Sequence, residues 1–215
     1  MQQRGSKMVK KESGKKNSVA GMLKLGVILA LYSTVACIGL AFVYAGTTGI
    51  IAERQQADLE AALLELFPDA DSFELILGIT SMDPLVSIEE GGAFAALSNG
   101  QVIGAALRTS RFSYSGPIVC LVGVSVDNRI SALKILENID TPGLGSNASS
   151  SNYFVDRRNG IRFYEQFAGK SVTDPFVPKQ DVTVITAATI TSRAVSDSVK
   201  AAGEAALAWF AGGMQ

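Results

Sequence analysis

Histidine is absent from the 215 residues, and cysteine occurs only twice, at positions 37 and 120. Without imidazole the chain loses the side chain most often used for proton transfer near neutral pH and for haem ligation. An iron–sulfur cluster usually takes four thiolates, so this chain alone cannot hold one. Any redox centre it carries must be organic. Cys37 falls in an apolar run and Cys120 in a strand-like run, so both read as structural thiols. A preponderance of positive charge is missing too: 19 Lys and Arg stand against 20 Asp and Glu, a net charge of -1. Nucleic acid is therefore not an expected partner.

The charges that are present are unevenly placed. Arg4, Lys7, Lys10, Lys11, Lys15, Lys16 and Lys24 crowd the first residues with Glu12 as their lone acidic neighbour, and the remainder is acidic. No charged residue occurs from Leu25 to Ala52. At ~1.5 Å per residue such a run crosses a hydrocarbon core of ~30 Å. A cleaved signal peptide is the rival reading, but signal cores run ~7–15 residues and no clear small-residue cleavage site follows. Thr34 to Cys37 matches a lipoprotein site only loosely. Basic residues before the span and Glu53, Asp58, Glu60 and Glu65 after it place the N-terminus in the cytoplasm. The expected layout is a cytoplasmic tail over 1–21, a transmembrane helix over 22–46, a stalk helix over 47–70 and an extracytoplasmic domain over 71–215. Leu59, Leu63 and Leu66 share one face of the stalk, and Pro68 closes it. The basic cluster suits anionic lipid headgroups or a plain topogenic tail.

Between about 73 and 137 the periodicity changes to that of strands. FELILGI is followed by AFAALS and QVIGAALRT joined at Asn99-Gly100, then by PIVCLVGVSV and RISALKIL joined at Asp127-Asn128. Both dipeptides favour hairpin turns, so an antiparallel meander is expected. Residues 138–152 form a Gly- and Ser-rich loop, 153–168 read as a short helix, 181–185 as a strand, and Ile190 to Ala211 as an Ala-rich helix. The fold class is α+β: one N-terminal transmembrane helix, then an antiparallel-sheet domain closed by a C-terminal helix.

Two stretches have the composition of a site. Thr186-Ala187-Ala188-Thr189-Ile190-Thr191-Ser192 lies between the expected strand and the last helix, where small residues let a ligand approach and free N–H groups attract anions. A plain Thr/Ser helix cap accounts for the same residues. Asp140-Thr141-Pro142-Gly143-Leu144-Gly145 combines a fixed φ with permissive ones, which shapes a loop against a flat ring or simply makes a turn.

In both stretches the sequence resembles the FMN-binding subunits shared by the Rnf ion-translocating complex (its G subunit, RnfG) and the sodium-pumping NADH:quinone oxidoreductase (its C subunit, NqrC). The first matches a Ser-Gly-Ala-Thr-x-Thr motif whose last Thr takes FMN through a phosphoester. The resemblance thus implies one covalent FMN per chain on Thr191, with Thr186, Ala187, Ala188, Thr189 and Ser192 around it. Ala187 replaces the family's Gly. The second is similar to a Glu-Thr-Pro-Gly-Leu-Gly loop lying against the flavin, with Asp140 in place of Glu, and implies contacts from Asp140, Thr141, Gly143 and Leu144. Tyr114 beside the ring, Lys170 near its polar edge and Asp181 at an acidic position of the transferase signature are weaker echoes. As implied partners come a flavin transferase and the other membrane subunits of an Rnf-type complex in the bacterial inner membrane. The equivalent subunit of the sodium-pumping enzyme is an alternative, as are a non-redox anchored binding or assembly module and an independent flavin reductase.

Overall fold

The computed structural model describes residues 6–212 and, among them, the side chains of 21–49, 54 and 56–212. Residues 1–5 of the expected basic tail, and the side chains of 6–20, lie outside that range. The chain divides into two compact units, Met1–Ala57 and Asp58–Gln215.

Residues 6–57 of the first unit are helical, within a helix α1 that spans Ser6–Leu66. Gly21–Gly49 has a mean hydropathy of 2.2, and no part of it is buried by the protein. It is long and apolar enough to cross a membrane. The hydroxyls of Ser33, Thr34, Thr47 and Thr48 donate to carbonyls three or four residues back, at 2.6–3.4 Å. An apolar solvent would demand that self-satisfaction.

The second unit is built on a five-stranded antiparallel meander in chain order: β1 Ser72–Leu75, β2 Val86–Ser98, β3 Gln101–Phe112, β4 Pro117–Ser125 and β5 Arg129–Asn138. Asn99 and Gly100 have φ of 51° and 75°, the pair of positive values a two-residue hairpin of type I′ requires. Asn128, at φ 60°, turns β4 into β5. Alternate side chains of β3 and β4 serve opposite faces. Ala106 and Leu121 meet Ala62, Leu63, Leu66 and Phe67 from the end of α1 and the residue after it. Leu107, Cys120 and Val122 meet Val195, Val199, Ala202 and Ala206 of α2, which spans Thr189–Ala211. Leu59 packs at the edge of the first cluster, so the face expected from Leu59, Leu63 and Leu66 is the packed one. Small residues on α2 let it lie close to the sheet. Cys120 is fully buried, and burial pushes its thiol up to about 12, which makes it unreactive.

The structure departs from the sequence expectations in three places. The FELILGI strand stops at Leu75, whereas β2 begins at Val86 and passes through an irregularity between Ile88 and Ala93. The helix expected over 153–168 is instead a two-stranded ribbon, β6 Phe154–Asp156 with β7 Ile161–Arg162, followed by a 3₁₀ turn over Glu165–Phe167. Asp156 decides this, because its carboxylate accepts from the N–H groups of Arg158 and Asn159 at 2.9 and 3.2 Å and so makes a turn where a helix would run. The strand expected over 181–185 is reduced to an isolated bridge between Pro178 and Val182, while Val182 and Ile185 are buried as core plugs.

Candidate functional site

Three connections converge at one end of the sheet: the β3–β4 turn around 113–116, the loop leaving β5 at Asn138, and the start of α2. Between them lies a cavity of about 440 Å³ lined by Tyr114, Asp140, Thr141, Leu144, Gly145 and residues 187–191. Ligand pockets run from ~300 to ~1,000 Å³, so a cofactor-sized molecule fits.

The floor is an aspartate held by hydroxyls. Asp140 is 5% exposed, and its Oδ2 accepts from both Ser113 Oγ and Thr191 Oγ1 at 2.5 Å while Oδ1 accepts from the Ser115 N–H at 2.7 Å. Among the described residues no Lys or Arg forms an ion pair with it. Burial alone pushes its carboxyl up, but the hydrogen bonds from Ser113, Thr191 and Ser115 outweigh that and hold it below the usual carboxylate value. Asp140 is thus a charged acceptor. The loop behind it is tied by Asn138, whose Nδ2 donates to the Gly145 carbonyl at 3.0 Å and whose Oδ1 accepts from the Asp140 N–H at 3.0 Å.

Glycine serves two different purposes in this loop. Gly143 takes a φ of 78°, whereas Gly145 is needed for space: a Cβ there would stand 2.5 Å from Asp140 Cβ, Asp140 Oδ2 and Thr191 Oγ1. Ala187 also has a positive φ, 60°. At this position, where the resembling motif has glycine, the backbone adopts the conformation a glycine would favour.

Thr191, 1% exposed, reaches the cavity floor from the first turn of α2. The N-cap residue, Ala188, makes no side-chain hydrogen bond, so the helix start is not closed by its own cap. The N–H groups of that first turn have no intrahelical acceptor, and the helix dipole adds positive potential there. Thr191 spends its hydroxyl on Asp140, not on a helix cap.

Of the residues singled out from sequence, Asp140, Thr141, Leu144, Ala187, Ala188, Thr189, Thr191 and Tyr114 line the cavity. Tyr114 is 70% exposed at its rim. Four others lie elsewhere. Ser192 is fully buried, donating to the Ala188 carbonyl and accepting from the Ile185 N–H, each at 3.0 Å. Thr186 is exposed, its N–H on the Tyr153 hydroxyl at 3.3 Å. Gly143 shapes the loop without lining the cavity. Lys170 points to Asp181, with Nζ 2.7 Å from its carbonyl and 3.4 Å from Oδ2. Ser113 and Asn138 complete the site and were not singled out; the one sequence signal for them is their position at strand ends flanking the two loops.

Comparison with known proteins gives the class first: residues 113–204 match the FMN-binding domain family, and residues 17–66 match the RnfG N-terminal region. The G subunit of the Na⁺-translocating ferredoxin:NAD⁺ oxidoreductase complex of Acetobacterium woodii is 30% identical over 198 residues, covering 83% of this chain and 88% of its own length. The G subunit of the ion-translocating oxidoreductase complex of Cereibacter sphaeroides is 30% identical over 189 residues, 81% of this chain and 79% of its own. Among solved structures, NqrC of Shewanella oneidensis aligns over 56% of this chain and 64% of its own with 17% identity and a TM-score of 0.40. The chain belongs to the RnfG family, the G subunits of ion-translocating oxidoreductase complexes.

The residues present fit the cofactor this family implies. Tyr114, Leu144 and Ile190 offer apolar surface for a flat ring, and the open N-terminus of α2 suits a phosphate.

Proposed function

We propose that this chain is the electron-transfer subunit of an Rnf-type ion-translocating ferredoxin:NAD oxidoreductase, carrying one FMN joined by a phosphoester to Thr191. The observation that carries the reading is the placement of Thr191: its hydroxyl lies on the floor of a cofactor-sized cavity, in the first turn of a helix, against a carboxylate. When bound, the flavin supplies the redox chemistry. The protein's share is positional. Helix α2 presents N–H groups and positive potential to the phosphate, Leu144, Ile190 and Tyr114 bound the ring, and a covalent link prevents loss outside the cell. Gly21–Gly49 anchors the chain in the membrane once, with the N-terminus cytoplasmic and the FMN domain on the opposite side. A flavin transferase attaches the cofactor, and the neighbouring subunits supply the donor and acceptor of electrons.

The test uses the full chain made together with its flavin transferase and run on a denaturing gel. Flavin fluorescence should travel with the wild-type band and vanish in Thr191→Ala. Persistence in that variant sinks the assignment to Thr191, and a dark wild-type band favours a non-redox module.

A further inference from the structure

Several hydroxyls lie at or near the cavity, and only one of them is to be modified. Of the aliphatic hydroxyls, Thr141, Thr189 and Thr191 line the cavity, with the exposed Tyr114 phenol at its rim; Ser113, Thr186 and Ser192 do not. Of the three that line it, Thr191 is the one whose Oγ1 donates to a carboxylate, at 2.5 Å. Among the described residues, neither Thr141 nor Thr189 forms such a bond. Exposure runs the other way, because Thr191 is nearly buried whereas Thr141 is exposed. Access therefore does not select Thr191. The carboxylate does.

We propose that Asp140 is the proton acceptor that activates Thr191 for its own modification and thereby selects this hydroxyl. The inference rests on the reading that Thr191 carries the flavin. An alcohol does not condense with a phosphate monoester in water without a leaving group, so the donor must hold the flavin phosphate in an anhydride, as a flavin dinucleotide does. Thr191 Oγ1 attacks that phosphorus and a new P–O bond forms. The anhydride P–O bond breaks, and its electron pair leaves with the nucleoside monophosphate. The Thr191 proton passes to Asp140 Oδ2 as the bond forms, then to water; nothing is oxidised or reduced. An aspartate taking a hydroxyl proton is an established device in phosphoryl transfer.

The geometry favours this role over simple bracing. Ser113, which does not line the cavity, donates its Oγ proton to the same Oδ2, and the Ser115 N–H donates to Oδ1, so both carboxylate oxygens are held. Ser113 then holds the acceptor in place while Thr191 alone presents its oxygen to the incoming phosphorus.

The experiment follows covalent flavin incorporation into the detergent-solubilised full chain, using the flavin transferase and flavin adenine dinucleotide, by intact mass and gel fluorescence. Asp140→Asn keeps the shape and one acceptor oxygen but cannot take the proton. Its maximal rate should fall by ~10²–10⁴, with the KM for the chain little changed. Asp140→Glu, which restores a carboxylate, should recover most of that loss. Asp140→Asn modified at the wild-type rate overturns the inference, as does a folded Asp140→Glu no faster than Asp140→Asn. Should Asp140→Asn fail to fold, single-turnover modification of the wild type in deuterium oxide decides: slowing is expected, and an unchanged rate overturns the proposal. Thr191→Ala separates the two readings. If it stays modified, the Thr191 assignment fails; if it is dark while Asp140→Asn is normal, the role of Asp140 alone fails.

Discussion

Two loops of the second unit are each organised around an aspartate, and they use it differently. In the loop before α2, Asp181 accepts from the N–H groups of Phe176 and Val177 at 3.1 and 2.6 Å, and Lys170 closes on it at 3.4 Å. Its donors are backbone groups and its charge is paired with a cation. In the loop after β5, Asp140 takes two side-chain hydroxyls and one N–H, has no paired cation among the described residues, and faces a cavity. Charge neutralisation makes the first a structural clasp. In its absence the second is a buried charge held by hydrogen bonds alone, and its Oδ2 stays directed at the Thr191 hydroxyl on the cavity floor.

The largest disruption of this contrast should come from Gly145→Ala. The added methyl would overlap Asp140 and Thr191 Oγ1 at 2.5 Å, so carboxylate, threonine or loop must move. Overpacking of this kind costs ~1–3 kcal/mol, and the upper end is expected because both neighbours are buried. Thermal unfolding of the full chain in detergent should show the loss, and covalent flavin should drop to background. Full labelling of a folded Gly145→Ala chain would mean that the Asp140–Thr191 contact is dispensable.

Asp181→Ala should have a smaller effect and of one kind only. Removing the acceptor leaves two N–H groups to water or to nothing, a loss of about 2 kcal/mol. Stability should fall, whereas the fraction of folded chains that take flavin should hold. If labelling per folded chain falls as steeply as in Gly145→Ala, the two loops are not the separate devices their hydrogen bonds describe.

How much of this was legible in the sequence differs between the loops for a physical reason. The meander was, since Asn99-Gly100 and Asp127-Asn128 encode their turns locally, and so was α2, whose Val195, Val199 and Ala202 repeat at helical spacing. The segment 153–185 was not. Phe163, Phe167, Val172, Phe176, Val182 and Ile185 of this segment are buried, but as single plugs between turns tied by Asp156, Lys170 and Asp181, which leaves no period to read. The site was half legible. Motif order brought Asp140 and Thr191 forward, yet their contact spans 51 residues, and Ser113 as a second donor to the same oxygen has no local signature.

The least effect is expected at Ala187, and it carries the contrast into the helix start. A non-glycine residue at φ 60° is held there by its surroundings at a cost of ~1–2 kcal/mol. Glycine removes that cost but gives part of it back as entropy of the unfolded chain, ~0.5–1 kcal/mol. Ala187→Gly should therefore raise the unfolding temperature by a few degrees, corresponding to about 1 kcal/mol or less. It should also open the cavity by one methyl near Thr191, so that flavin incorporation at limiting transferase is equal or faster. A lower unfolding temperature would show that the backbone at 187 is not strained in the folded protein. Slower labelling would show that the methyl guides the donor toward Thr191 and does not obstruct it.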